Sequence, residues 1–259
     1  MTGETPPVSD AVVLKLGGSL ITRKDRPETL DDEALAAACD AIADALDEEE
    51  ISRLVVVHGG GSFGHHYASE HGVSTTTGTH DPNAVTEIHS AMTTLNRAVI
   101  SRLQERGVPA VPVHPLSASA RPKGVDGDLD LPMSATATLL AEEFVPVLHG
   151  DGVATAEAGV TVVSGDELVV ELATGLDARR VGVCSTVPGV LDDDGSVIPT
   201  INSFESVADV LGESESTDVS GGMAAKVREL LALDAPAFVF GADGLDPFLR
   251  GGDPGTRID

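Results

Sequence analysis

The chain contains, at residues 55–65, the stretch Val55-Val56-Val57-His58-Gly59-Gly60-Gly61-Ser62-Phe63-Gly64-His65. The valines predict a buried strand, and the glycines that follow predict a tight loop at its end. Four of the six residues from Gly59 to Gly64 are glycine, which lets backbone N–H groups approach a ligand closely. A helix predicted to begin near Ser62 adds the positive end of its dipole there. The stretch therefore predicts a phosphate-binding loop, although an ordinary glycine-rich turn has the same local pattern.

Strand-like and helix-like segments alternate on both sides of this loop, and residues 117–132, rich in Pro, Gly and Asp, predict a hairpin or flap. Strands are predicted at residues 11–16, 55–57, 110–113, 145–148, 161–163, 180–184 and 237–240. Helices are predicted at 30–46, 62–71, 83–106, 134–143, 167–174, 207–211 and 224–233. Such alternation favours an α/β fold, a three-layer αβα sandwich with a mainly parallel central sheet. We expect a flexible tail at residues 1–10 and a single domain with two lobes at 11–259.

The net charge of −26 argues against nucleic acid and anionic membranes as partners. The charges are dispersed among apolar segments, which favours a folded chain over a disordered one. Such an acidic surface is typical of a halophilic protein suited to high ionic strength. No apolar run reaches the about 20 residues of a membrane span, and no secretory leader is evident, so we expect a soluble, cytoplasmic protein. The two cysteines, Cys39 and Cys184, lie far apart in the sequence, which argues against a zinc site or a disulfide framework.

The four lysines are the most informative charges in this acidic chain. Lys15, Lys24 and Lys226 lie beside glycine-rich turns, and Lys123 is the fourth. An acidic protein that binds an even more acidic ligand such as ATP needs cations in its site, although four residues are a small sample.

Phosphoryl transfer requires cations and N–H donors around the moving group more than covalent help from the protein. The lysines and the glycine turns at 17–18, 59–61 and 221–222 supply such groups. The sequence has no P-loop motif, no protein-kinase motif set and no Gly-x-Gly-x-x-Gly at its first glycine turn. These three nucleotide-binding classes are therefore excluded.

Taken together, the motifs resemble those of the amino acid kinase family and, within it, the isopentenyl phosphate kinases of archaea. The resemblance covers about residues 11–258. It is carried by Lys-Leu-Gly-Gly-Ser at 15–19, His-Gly-Gly-Gly-Ser-Phe-Gly-His at 58–65, His-Gly-Asp at 149–151, Ser-Gly-Asp at 164–166 and Asp-Val-Ser-Gly-Gly-Met at 218–223. Each motif alone is weak, but their combination and order are specific.

The resemblance implies the amino acid kinase fold, with an N-terminal acceptor lobe and a C-terminal nucleotide lobe, and a role for each motif residue. The catalytic set it implies is Lys15, Lys24, His65 and Asp166. The ATP-binding set is Lys15, Gly17, Gly18, Ser19, Gly60, Gly222 and Lys226. The acceptor-binding set is Gly59, Gly64, His65 and Gly165. Asp151 is a candidate partner for magnesium or a lysine, with capping of the next turn as the alternative.

The activity implied by the resemblance is ATP-dependent phosphorylation of isopentenyl phosphate to isopentenyl diphosphate, with Mg²⁺, in a homodimer. The alternatives are a kinase for a phosphonate or another small acid, and a nucleotide-sensing protein without turnover. Residues 185–189, Ser-Thr-Val-Pro-Gly, depart from the Thr-Asp-Val-Asp-Gly usual in the family by lacking both carboxylates. This departure puts the contacts with the base and ribose in doubt.

Overall fold

The computed structural model describes residues 10–211 and 222–259. Its strands are β1 (Val12–Leu16), β2 (Leu54–His58), β3 (Ala110–Pro112), β4 (Ala120–Arg121), β5 (Val145–His149), β6 (Asp151–Thr155), β7 (Gly159–Val163), β8 (Arg180–Cys184), β9 (Thr200–Ile201), β10 (Ala237–Phe240) and β11 (Thr256–Ile258). Its α-helices are α1 (Gly18–Ile21), α2 (Asp32–Asp47), α3 (Gly61–Glu70), α4 (Pro82–Gln104), α5 (Pro115–Ala118), α6 (Ser134–Ala141), α7 (Gly165–Gly175), α8 (Ala208–Leu211), α9 (Gly222–Leu230) and α10 (Leu245–Leu249). Among the helices of these residues, none is long and apolar enough to cross a membrane.

The main sheet has eight strands in the order β3-β5-β2-β1-β8-β10-β11-β9. Its strands run parallel except where β11 pairs antiparallel with β10. A second sheet of three strands, β4-β6-β7, stands apart from it. The predicted α/β fold with a mainly parallel sheet is confirmed.

The two faces of the main sheet bury separate apolar cores, as the alternation of side chains along β1 requires. Val12, Leu14 and Leu16 belong to the core shared with α2, α4 and α10. Val13 belongs to the opposite core, shared with α6, α7 and α9. Helices therefore cover both faces, which gives the predicted three-layer sandwich.

The carboxyl ends of the central strands lie side by side. Leu16, the last residue of β1, pairs in register with His58 of β2 and with Cys184 of β8. His58 in turn pairs with His149 of β5. The loops that follow these strands therefore meet at one edge of the sheet, the usual position of a ligand site in an open α/β sheet.

The structure corrects the sequence-based assignment in two regions. The reversal predicted over 117–132 exists, because Ala120 and Asp130 form an antiparallel bridge. The sequence analysis missed β6, which follows β5 after one residue and pairs antiparallel with β7. It also missed β9, β11 and α10 near the C-terminus. Two predicted features lie outside the described residues: the tail at 1–10, except for Asp10, and the glycine turn at 218–223, except for its last two residues.

Candidate active site

A cavity of about 1030 Å³ opens at the carboxyl edge of the main sheet, between the loops after β1 and β2 and the first turns of α7 and α9. All the residues named as site candidates from the sequence line it. They are Lys15, Gly17, Gly18, Ser19, Lys24, Gly59, Gly60, Gly64, His65, Asp151, Gly165, Asp166, Gly222 and Lys226. Residues from five separate parts of the chain therefore converge on one space.

The loops after β1 and β2 pack backbone against backbone. A Cβ atom on Gly18 would lie 2.2 Å from the amide nitrogen of Gly61, and Gly61 itself has a φ of +48°. The Thr22 hydroxyl donates a hydrogen bond to the Gly18 carbonyl (2.7 Å) and accepts one from the Ser62 amide (2.9 Å). Side chains at either glycine would separate the loops, so this approach of two amide-rich turns requires glycine.

Asp166 holds two of the predicted lysines at the floor of the cavity. Its Oδ2 atom lies 2.6 Å from Lys15 Nζ, and its Oδ1 atom lies 2.5 Å from Lys226 Nζ. Asp166 reaches this position from the first turn of α7, where the Ser164 side chain caps the helix by accepting the Glu167 amide at 3.0 Å. We call these three residues the lysine–aspartate centre.

Burial and the attraction between opposite charges have opposite effects on the pKa values of this centre. Burial lowers the pKa of Lys15 to about 8, against the attraction of Asp166. Burial alone would raise the pKa of Asp166, but the two lysines outweigh it and lower the value to about 2. The carboxylate is therefore ionised at neutral pH. Two ammonium groups then share one carboxylate, which leaves a net positive site in a chain of net charge −26.

Lys24 and His65 occupy more open positions in the same cavity. Lys24 is exposed in the loop after α1, and His65 is exposed in α3, just after the glycine loop. Gly64 lies against α4, because a Cβ atom there would lie 2.5 Å from Met92 Sδ. The apolar side chains of Ala68, Ile88, Met92 and Val162 also line the cavity. The cavity thus combines cationic groups and backbone amides with an apolar wall.

Two histidines at strand ends have a structural role. His58 and His149 are fully buried, and the Nδ1 atom of each lies within hydrogen-bond distance of the next residue's carbonyl, at 3.2 Å to Gly59 and 2.9 Å to Gly150. His66 is exposed on α3 and lies 3.8 Å from Glu70, one turn along the helix, as expected of a surface residue.

Asp151 does not have the partner expected from the sequence. Its buried carboxylate accepts hydrogen bonds from His89 Nδ1, at 2.9 and 3.1 Å, and from the Gly152 amide at 2.8 Å. The lysine-partner interpretation is therefore wrong. The magnesium-partner interpretation of Asp151 stays a prediction.

His89 is the residue of this region that the sequence analysis missed. It lies on the same face of α4 as Met92 and Asn96, three and seven residues further on. Polar His89 and Asn96 on the buried face of an amphipathic helix were a signal that could have revealed it.

The loop after β8 carries the departure noted in the sequence. Ser185, Thr186 and Val187 line the cavity after β8. The Ser185 hydroxyl accepts the Val187 amide at 3.2 Å, which closes a tight turn. This turn offers hydroxyl groups and backbone to a ligand where the family usually has carboxylates.

Comparisons with known proteins agree with this geometry. Residues 10–233 match the model of the amino acid kinase family. The chain is 63% identical to isopentenyl phosphate kinase of Haloferax volcanii over 95% of this chain and 98% of that protein. It is 33% identical to isopentenyl phosphate kinase of Methanocaldococcus jannaschii, again over 95% and 98%. An X-ray structure of isopentenyl phosphate kinase superposes with a TM-score of 0.81 at 28% identity, covering 96% of this chain and all of that one.

Proposed function

This chain belongs to the amino acid kinase family, and from that premise we propose that it is an ATP-dependent kinase that converts isopentenyl phosphate to isopentenyl diphosphate. The observation that carries the proposal is the single cavity in which the lysine–aspartate centre, two glycine loops and an apolar wall meet. Two relatives that the chain matches over 95% of its length are isopentenyl phosphate kinases.

In the proposed reaction, an oxygen of the acceptor phosphate attacks the γ-phosphorus of ATP. The bond between that phosphorus and the β,γ-bridging oxygen breaks, and ADP leaves with the electron pair. The product gains a phosphoanhydride bond. The protein supplies alignment of the two anions and compensation of the charge on the moving group.

The resemblance to the family implies a division of the site residues between the two substrates. ATP phosphates would bind Lys15, Gly17, Gly18, Ser19, Gly60, Gly222 and Lys226. The acceptor phosphate would bind Gly59, Gly64, His65 and Gly165. Lys24, exposed at the cavity, would reach the transferring phosphoryl group. Asp166 would fix the two buried lysines, and the wall of Ala68, Ile88, Met92 and Val162 would hold the isopentenyl group.

Magnesium would enter with the nucleotide. The cation prefers oxygen ligands and keeps several waters, so the phosphates of ATP and water can supply most of its coordination. Bound there, it would neutralise charge on the phosphates. Asp166, the carboxylate of the lysine–aspartate centre, is bridged by two ammonium groups.

The remaining expectations are the two-lobed domain, the homodimer and the cytoplasmic location. The acceptor would occupy the N-terminal lobe, which carries the loop after β2, and the nucleotide the C-terminal lobe, which carries α9. Light scattering of the purified protein would decide between a monomer and a dimer.

The proposal is tested by ADP release in a coupled assay at high salt, with ATP and one acceptor at a time. The acceptors are isopentenyl phosphate, fosfomycin, glutamate, carbamate and UMP. We expect isopentenyl phosphate to give the highest kcat/KM. Preferential turnover of fosfomycin would favour a phosphonate kinase, and ATP binding without turnover of any acceptor would favour a nucleotide sensor.

His65 is expected to select phosphorylated acceptors. It lines the cavity just past the glycine loop, where its ring can add a hydrogen bond to an anion bound beside that loop. The amides of Gly59 and Gly64 are not the donors for that anion here, because they donate to the carbonyls of Leu16 and Gly60. His65→Ala should lower kcat/KM for isopentenyl phosphate about 10²-fold, by comparison with the loss of one oxyanion donor. His65→Gln should recover part of the loss because glutamine is a neutral donor. His80→Ala, an exposed position that does not line the cavity, is the matched control. An alanine variant as active as wild type would contradict the role.

The stability of the fold is expected to depend on salt. The net charge of −26 repels itself in dilute buffer, and the Debye length shortens to about 3 Å at 1 M salt. We therefore expect Tm to rise by about 5 °C or more between low and molar potassium chloride. Thermal unfolding followed by circular dichroism measures this directly. A Tm that stays constant over the series would remove the basis for a halophilic surface.

A further inference from the structure

A cluster of buried and half-buried polar side chains lies between α4 and the ends of β2, β5 and β6. We call it the histidine cluster; its members are His58, His89, His114, His149, Asn96 and Asp151. His58 stacks on His149 with ring centroids 5.5 Å apart, and His114 Nδ1 lies 2.9 Å from His149 Nε2. His58 Nε2 lies 3.1 Å from Asn96 Oδ1. The proposed reaction uses none of these side chains.

Burial keeps three rings of the cluster neutral, and the hydrogen bonds of His149 agree with this. His149 Nδ1 donates to the Gly150 carbonyl, so in a neutral ring the Nε2 atom accepts the hydrogen bond from His114 Nδ1. Burial lowers the pKa of His149 well below its usual value and lowers that of His58 to about 4. Burial also lowers the pKa of His114. Three of the four rings are therefore neutral near pH 7.

His89 differs from the other rings because it forms hydrogen bonds with a carboxylate, whereas the Nδ1 atom of His149 lies 3.9 Å from Asp151 Oδ2. The Nδ1 atom of His89 donates to both oxygens of Asp151, at 2.9 and 3.1 Å. This hydrogen bond raises the pKa of His89. Its side chain is 28% exposed, so it is also less desolvated than the inner rings. His89 is the ring of the cluster that can carry a positive charge.

The carboxylate of Asp151 needs the positive charge of His89 because it lies in the wall of the cavity. The side chain of Asp151 is fully buried, and the residue lines the same cavity as Gly59 and Gly64, which belong to the proposed acceptor site. An uncompensated carboxylate there would repel a phosphate dianion across a medium of low dielectric. The Gly152 amide supplies a hydrogen bond to Asp151 but no net charge.

We propose that His89 is a positioning residue for the acceptor phosphate: by pairing with Asp151, it neutralises the buried carboxylate in the cavity wall and holds the turn between β5 and β6 in place. The inference rests on the proposed function for the identity of the acceptor. It adds His89, a residue of α4 that does not itself line the cavity, to the residues that determine acceptor affinity.

Three substitutions separate charge from shape. His89→Ala removes the cation and leaves Asp151 unpaired, while His89→Gln keeps a hydrogen-bond donor without the charge. Asp151→Asn removes the carboxylate but keeps its outline, and the asparagine oxygen can still accept the Gly152 amide. His71→Ala is the matched control, because His71 forms a similar pair with Glu87 (2.6 Å) between α3 and α4 away from the cavity.

Calorimetry with isopentenyl phosphate and the ADP-release assay are applied to wild type, the single variants and His89→Ala/Asp151→Asn. We expect His89→Ala and His89→Gln to raise Kd and KM for isopentenyl phosphate about tenfold, with KM for ATP unchanged. The double variant should recover most of the lost affinity, because removing the carboxylate removes the repulsion. The His71→Ala control should bind like wild type, and thermal unfolding checks that each variant folds.

Each other outcome counts against the inference in a distinguishable way. Wild-type affinity in His89→Gln would show that charge is not the cause, and a double variant as weak as His89→Ala would show that the pair acts through shape alone. Wild-type protein that binds isopentenyl phosphate without phosphorylating it would contradict the proposed function only, because calorimetry still compares the variants. Failure of wild type to bind isopentenyl phosphate would overturn both proposals.

Discussion

Lys24→Ala is expected to lower kcat by about 10²- to 10³-fold while changing the KM for ATP little, by comparison with the loss of one group that stabilises transition-state charge. Lys24 is exposed at the cavity and lies outside the lysine–aspartate centre. A cation that meets the phosphoryl group mainly during transfer stabilises the transition state more than the bound substrates, so its loss appears in kcat. Lys226→Ala should in addition weaken ATP, because Lys226 belongs to the proposed nucleotide site.

Lys123→Ala is the matched control for this experiment. Lys123 is exposed and does not line the cavity, and its replacement changes the net charge of the chain by the same one unit. A general electrostatic effect on an acidic protein would alter both variants equally. Steady-state kinetics over a matrix of ATP and acceptor concentrations separates kcat from the two KM values. If Lys24→Ala raised only a KM, its assignment to the transferring group would be wrong.

The central part of the fold could be predicted because its signals are local. The valines before His58 and the apolar run before Gly17 identify β2 and β1 directly, and parallel strands bring their carboxyl ends to one edge. The convergence of Lys15 with the glycine loop after β2 follows from that rule, whereas Asp166 follows β7, which lies in the second sheet. The resemblance to a kinase family added roles, which local patterns cannot supply.

The parts that the sequence did not reveal depend on long-range pairing. Strand β6 follows β5 after one residue, so a reading based on alternating helices and strands passes over it. The partner of Asp151 lies on α4, 62 residues earlier in the chain. An isolated histidine in a helix carries no sign of a carboxylate that reaches it only in the folded protein. Buried ion pairs of this kind become visible only with coordinates.

Asp166→Asn is expected to lower kcat/KM at neutral pH by about 10²-fold or more, because it leaves the two buried ammonium groups of Lys15 and Lys226 without their shared carboxylate. The pH profile gives a second, sharper expectation. Asp166 opposes the effect of burial on Lys15, whose pKa is about 8 in the intact centre.

In wild type, kcat/KM should therefore fall as pH rises through about 8 and Lys15 loses its proton. Removing the carboxylate lowers the pKa of Lys15 further, so the fall in Asp166→Asn should begin at lower pH. Asp81→Asn is the control, since Asp81 caps α4 by accepting the Asn83 amide, asparagine caps a helix equally well, and the same charge is removed. The measurement is kcat/KM for both substrates from pH 5.5 to 10 in all three proteins. If Asp166→Asn lowered kcat/KM but its decrease at alkaline pH began at the same pH as in wild type, Asp166 would act otherwise than by keeping Lys15 charged.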